Sequence, residues 1–219
     1  MNVYLVPVRH NHFEIYSEPP EDVDRLPEEG AGRLRRWAHA ARVRWHDLVD
    51  TARRGSATGR FALWRDKVVC RLAETIAEQR TLWALGKHTQ ATLRFPSTLD
   101  QTEARATLDR ALMAARWHHG LWLAIDGPLF VVSGALMPVP GPNILAYYLA
   151  FRAIGHWLSW RGARQSLNTI VWTLEPDADL AELGSLVDVP RALRDARVAA
   201  IAARLQLPRL SAFFERVAA

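Results

Sequence analysis

The stretch that decides how this chain is built runs Gly120-Leu-Trp-Leu-Ala-Ile-Asp-Gly-Pro-Leu-Phe-Val-Val-Ser-Gly-Ala-Leu-Met137, then Pro138-Val-Pro-Gly-Pro-Asn143, then Ile144-Leu-Ala-Tyr-Tyr-Leu-Ala-Phe-Arg-Ala-Ile-Gly-His-Trp-Leu-Ser-Trp160. Three prolines around one glycine cannot continue a helix, so the chain must reverse between the two apolar limbs. At 17–18 residues each limb reaches roughly 26 Å if helical, the lower edge of what crosses a bilayer core of roughly 30 Å. Three arrangements fit such limbs: the core hairpin of a soluble helical protein, a shallow or re-entrant membrane insertion, and a two-span hairpin.

Residues at the open end of the hairpin favour lipid. Trp117, Trp122, Trp157 and Trp160 gather there like an interfacial aromatic belt, and Arg116, Arg161 and Arg164 lie just outside it, as the positive-inside rule asks of a cytoplasmic or matrix side. Three ionisable groups inside the limbs oppose full spanning: Asp126, Arg152 and His156. Antiparallel folding about the turn sets Asp126 level with Gly155, within reach of Arg152 or His156, and such pairing lowers the cost of burial. His118 and His119 fall near the same end and add imidazoles suited to a proton relay, although only one of two adjacent helical residues can face the partner limb. Asp126-Gly127-Pro128 predicts a kink in the first limb.

Outward from the hairpin, the expected fold is mainly α: a helical bundle around the central apolar hairpin, with a small sheet. The alternating Val3–Val8 and Phe13–Tyr16, separated by Arg9-His10-Asn11-His12, predict an N-terminal β-hairpin over 1–18. Residues 19–30 are acidic and Pro-rich and are read as a linker. Two amphipathic helices follow over 31–87, one carrying Leu34, Trp37, Ala41, Trp45 and Leu48, the other Phe61, Trp64, Val68, Leu72, Ile76 and Trp83, with Gly86 as C-cap. Cys70 is expected to be a packing residue within the second. A third helix is predicted to start at a capping box, Ser97-x-x-Asp100, and to lead into the hairpin, so that 97–164 forms one unit. In 165–219, Thr169–Leu174 predicts a strand that joins the N-terminal hairpin. Asp177 should cap a short helix ending at Gly184, and Pro190 should open the next as its first residue. Pro208 should end that helix before a last one through Leu210, Phe213, Phe214 and Val217. The whole is read as a single domain, 1–219.

Composition narrows the function classes. The chain has 219 residues, 49% hydrophobic and 23% charged, with mean hydropathy −0.10. These values suit a packed globular protein and exclude both disorder and a polytopic membrane protein. One cysteine excludes an internal disulfide and a Cys-rich zinc site. The net charge is +5 and the pI about 10.0, with nearly all the cationic charge in arginine. Arg33, Arg35, Arg36, Arg42, Arg44, Arg53, Arg54 and Arg60 make the first amphipathic helix and its exit basic, a face for solvent or anionic headgroups; no nucleic-acid motif accompanies it. There is no phosphate loop, Rossmann glycine pattern, HExxH, GxSxG or CxxC, so neither an enzyme nor a cofactor or metal is expected. Met1–Val8 is too short for a signal-peptide core, and the expected place is the bacterial cytoplasm or the cytoplasmic face of the inner membrane.

Two motifs carry a resemblance. Leu136-Met-Pro-Val-Pro-Gly-Pro-Asn143, followed by Tyr147-Tyr148-x-x-Phe151-Arg152-x-x-x-His156-Trp157-x-x-x-x-Gly162-Ala163, resembles the signature of the mitochondrial K+–H+ exchange-related family, and Met1-Asn-Val-Tyr-Leu-Val-Pro-Val is similar to the start of its bacterial members. The matching positions are Pro138, Pro140, Pro142, Asn143, Arg152, His156 and Trp157. The resemblance implies membrane association and a link to potassium–proton homeostasis, with no catalytic residue set. The expected role is therefore a membrane-associated accessory or regulatory protein of K+/proton exchange, working with a membrane or another membrane protein, with a homo-oligomer left open. It is not expected to transport alone, since two limbs offer no repeat-built site. A soluble helical interaction or scaffold protein is the alternative; no small-molecule substrate is indicated.

Overall fold

In the computed structural model the alternation near the N-terminus becomes two strands, β1 (Asn2–Arg9) and β2 (His12–Tyr16), paired antiparallel from Tyr4 opposite Tyr16 to Arg9 opposite His12. Asn11 takes a positive φ of 55° in the tight turn between them, which asparagine tolerates. The structure describes residues 1–18, 79–135 and 144–218. The expected linker 19–30, both amphipathic helices up to residue 78 and the proline turn 138–143 lie outside the described residues.

A helical segment, α1 (79–85), ends at Gly86, whose N–H donates to the Leu82 carbonyl at 3.0 Å. Next comes β3 (Gln90–Pro96), then the long α2 (Gln101–Ala135), α3 (Ile144–Asn168), β4 (Val171–Asp177), and the short α4 (Ala178–Ser185), α5 (Arg191–Arg204) and α6 (Leu210–Val217). The described chain is thus mostly helical around a four-stranded mixed sheet of order β2-β1-β3-β4, in which β1, β3 and β4 run parallel.

This arrangement corrects the expected bundle in two ways. The strand near residue 170 does not join the N-terminal hairpin; β3 stands between them and pairs with both. The helices also do not simply bundle around the hairpin: they cover both faces of the small sheet. Side chains alternate across a strand, and β1 sends Val3 and Leu5 one way and Tyr4, Val6 and Val8 the other. The first set packs with Leu93, Phe95, Leu85 and, from the base of the helical hairpin, Ala104, Leu108, Leu112 and Ala163. The second packs with α4, α5 and α6 through Leu180, Leu183, Val198, Ile201, Leu210 and Phe214. Each fully buried Leu or Ile contributes about 1.5–3 kcal/mol by leaving water.

Local chemistry sets the helix ends. Asp100, at the C-terminal end of the expected start Ser97–Asp100, caps α2: its Oδ1 accepts from the Glu103 N–H at 2.7 Å. Asp177 caps α4 by accepting from the Asp179 N–H at 2.9 Å. Pro190 is the N-cap of α5 rather than its first residue. α2 stays continuous through Pro128. The α2–α3 pair therefore forms the crossover between the parallel strands β3 and β4. Its base lies on the sheet, and its length carries it well past the sheet, roughly 50 Å for the 35 residues of α2.

Candidate functional site

Beyond the sheet, α2 and α3 pack mainly against each other among the described residues, with α1 crossing α3, and their contact is of mixed character. Small residues bring the helices close. The Trp160 ring lies 3.2 Å from where a Cβ on Gly120 would sit. At Gly162 a Cβ would fall 1.9 Å from the Leu82 carbonyl oxygen, so only glycine lets α1 cross α3 there. Trp83 of α1 secures that crossing by donating its indole N–H to Ser159 Oγ at 2.9 Å.

Further along lies a polar cluster. The Asp126 side chain on α2 is only 3% exposed, and Arg152 Nε on α3 is 3.1 Å from its Oδ2. The pair is close enough for ion pairing but not aligned as a hydrogen bond, and Oδ2 accepts none from the described residues. His156 Nε2 sits 3.6 Å from the same oxygen. On its other side His156 Nδ1 meets His119 Nδ1 at 2.9 Å. His119 is buried and His118, one position earlier, is exposed, with its ring centroid 5.2 Å from that of His119 and 6.4 Å from that of His156. The Trp122 ring stacks over His156 with a 16° interplanar angle and carries the Arg152 guanidinium on its face at 5.0 Å.

Burial is the main electrostatic influence. It pushes the His119 imidazole down to about 4, helped by charge on His156 and His118. His156 is also lowered, first by burial; Asp126 opposes that shift, and Arg152 and His118 reinforce it. Both shifts favour the neutral imidazole, beside the paired Asp126 and Arg152.

The remaining candidate residues divide by environment. Trp117 is 76% exposed, Trp157 is exposed with Arg161 over its ring at 5.7 Å, and Trp160 is half-buried with Arg164 at 5.4 Å. Trp122, assigned from sequence to the same belt, instead lies over the polar cluster. Met113, Arg116, Trp117, Gly120, Leu121 and Trp160 are among the residues lining an open groove of about 560 Å³ beside this belt. Leu129, Phe130, Val131 and Val132 are exposed further out. Tyr148, part of the family-like motif but given no role in the sequence analysis, lies under Arg152 at 5.7 Å; its spacing of four residues from Arg152 on a helix was the available signal. Pro138, Pro140, Pro142 and Asn143 lie outside the described residues. Among the described residues no group of histidine, cysteine and carboxylate side chains is placed to hold a metal. Nor is any described helix long and apolar enough to cross a membrane.

The model of one protein family, described as mitochondrial K+-H+ exchange-related, matches residues 2–171 of this chain. The chain belongs to that family. The match takes in β1, β2, β3 and the whole α2–α3 hairpin, and stops as β4 begins, so the cluster lies within the family region while α4–α6 lie beyond it. Comparison with curated proteins and with solved structures found no match.

Proposed function

We propose that this member of the mitochondrial K+-H+ exchange-related family is an accessory or regulatory protein that docks its α2–α3 hairpin on an anionic membrane surface and acts on a K+/proton exchange system there. The observation that carries the reading is the exterior of the hairpin. Val131 and Val132 are 70% and 65% exposed, and Trp117, Leu121, Ile125, Leu129, Phe151, Ile154 and Trp157 add further apolar surface. Exposed apolar area on this scale marks a contact site. Charge supports lipid as what it meets. Between residues 110 and 168 the only carboxylate is the buried Asp126, whereas Arg110, Arg116, Arg161 and Arg164 are exposed. Arginine beside tryptophan suits the headgroup level of an anionic leaflet. The contact proposed is docking or shallow insertion rather than crossing; no described helix is both long and apolar enough to cross a membrane.

Two measurements test this. The purified chain should float with vesicles containing anionic phospholipid, bind neutral phosphatidylcholine vesicles far less, and come off in high salt. Inverted membrane vesicles from cells with and without the protein should differ in K+-driven proton movement followed by a pH-sensitive dye, while the chain alone in proteoliposomes should move none. A protein that stays dispersed in plain buffer, ignores both vesicle types and leaves exchange unchanged favours the alternative, an interaction protein whose apolar face meets another protein.

A further inference from the structure

We infer that His119, His156 and Asp126 form a one-proton acceptor site across the α2–α3 crossing, in which a proton received at His119 is passed through the imidazole–imidazole contact and its charge held on His156 beside Asp126. The inference deepens the reading above by giving the docked hairpin an element that responds to acidity.

Geometry allows few proton arrangements. Two Nδ1 atoms 2.9 Å apart form a hydrogen bond only if one carries a hydrogen and the other a lone pair. The uncharged pair has one arrangement that also suits the carboxylate. His119 Nδ1–H donates to His156 Nδ1, and His156 keeps its other hydrogen on Nε2, toward Asp126 Oδ2 at 3.6 Å. The reverse tautomer would turn an imidazole lone pair on a buried anion.

An arriving proton then has a defined route. It forms a bond to the free Nε2 of His119. The Nδ1–H bond of His119 breaks as that hydrogen bonds to Nδ1 of His156. His119 ends neutral with its hydrogen on Nε2, and His156 ends as the cation, donating to His119 Nδ1 on one side and facing Asp126 on the other. Asp126 Oδ2, buried and without a hydrogen bond from the described residues, is the acceptor that this state needs. A second proton is taken up only at stronger acidity, because two Nδ1–H groups cannot face each other at that distance and the contact must break first.

Among the described residues, the groups that face the pair are Asp126 and His118 from α2 and Arg152 from α3, and Trp83 of α1 lies on the Gly155 carbonyl and Ser159. Their influences agree with this order of loading. Asp126 favours charge on His156, while charge on His156 helps hold His119 down near 4.

The test is a pH titration of the full-length protein with ¹⁵N-labelled histidine, followed by long-range proton–nitrogen NMR without lipid. At pH 7.5 His119 should be the Nδ1–H tautomer and His156 the Nε2–H tautomer. On acidification His156 should charge first, and His119 should change tautomer at the same midpoint without charging. Asp126→Asn should weaken the proton affinity of His156 roughly tenfold, about one pH unit. His118→Gln should strengthen it by less. Independent titration of the two rings, His119 charging first, or a His156 midpoint indifferent to Asp126→Asn would overturn the proposal. Should Asp126→Asn fail to fold, the wild-type tautomer change decides it alone. Failure of vesicle docking leaves the titration untouched, so the two readings fail separately.

Discussion

Among the arginine–carboxylate pairs that join described helices, two are built to opposite designs. Arg194 and Glu215, between α5 and α6, form a bidentate pair at 2.9 and 2.9 Å. Arg194 also donates to the Val187 carbonyl at 2.8 Å, tying the α4–α5 connection to the C-terminal helix. The hydrogen bonds of Glu215 raise the guanidinium's proton affinity still further. Arg152 and Asp126, in the hairpin, meet at 3.1 Å without alignment and leave a buried carboxylate oxygen unsatisfied. The first pair has its partners in place and serves packing. The second keeps an acceptor open beside two imidazoles, a costly arrangement where stability is the only demand.

The sharpest break of that contrast comes from the packed side. Arg194→Met removes a buried guanidinium, strands the Val187 carbonyl and leaves the half-buried Glu215 with only the longer Arg191 contact at 3.6 Å among the described residues. It should cost about 3–5 kcal/mol in urea denaturation. Gly162→Ala should follow at about 1–3 kcal/mol, toward the upper end, because the new methyl meets backbone rather than a yielding side chain. Asp126→Asn should cost less than either, about 1 kcal/mol, since the lost oxygen accepts no hydrogen bond to begin with. If Asp126→Asn proves as damaging as Arg194→Met, the contrast between the two pairs collapses.

How much of this could be read from the sequence differs along the same divide. Antiparallel folding about the proline turn was enough to set Asp126 against Arg152 and His156, because helical rise fixes which positions come level. The register did not show that His119 and His156 would meet through Nδ1, since a ring's orientation depends on rotamers that spacing does not encode. In the fold, β3 escaped notice although Ala91, Leu93 and Phe95 alternate with Gln90, Thr92 and Arg94. Seven residues between a helix C-cap and an N-cap make a weak period, and the strand is held by neighbours distant in sequence on both sides. β4 runs on through Glu175, Pro176 and Asp177, past the expected end at Leu174. It is an edge strand, where a proline's missing N–H costs no ladder bond. Pro7 is tolerated in β1 for a related reason: the β1–β3 pairing covers only Asn2–Tyr4.

Acidity sharpens the contrast further. The folded protein holds the His119 imidazole near 4, against about 6.5 for an unperturbed histidine. Between those values the unfolded chain binds more protons than the folded one, so stability is complete above about pH 6.5 and falls as pH drops toward about 4. Urea midpoints taken at pH 7.5, 6, 5 and 4.5 should follow that fall. His119→Leu should flatten it, whereas Arg194→Met should lower the whole curve and leave its slope in place. An unchanged slope in His119→Leu would assign the acid sensitivity elsewhere.

The smallest expected change in stability belongs to Trp117→Ala. At 76% exposure the indole has little packing to lose, and substitutions of that kind stay within about 0.5 kcal/mol. The same change should lower affinity for anionic vesicles several-fold, because it takes a headgroup-level aromatic from beside Arg116. Phe214→Ala is the reverse case: fully buried under Arg194, it should lose about 3–5 kcal/mol while vesicle affinity per folded molecule stays constant. Opposite rankings of the two variants in urea and in flotation are what separate a surface kept for contact from a core kept for folding. If Trp117→Ala also loses several kcal/mol, that indole holds the fold together and the hairpin's apolar exterior needs another explanation.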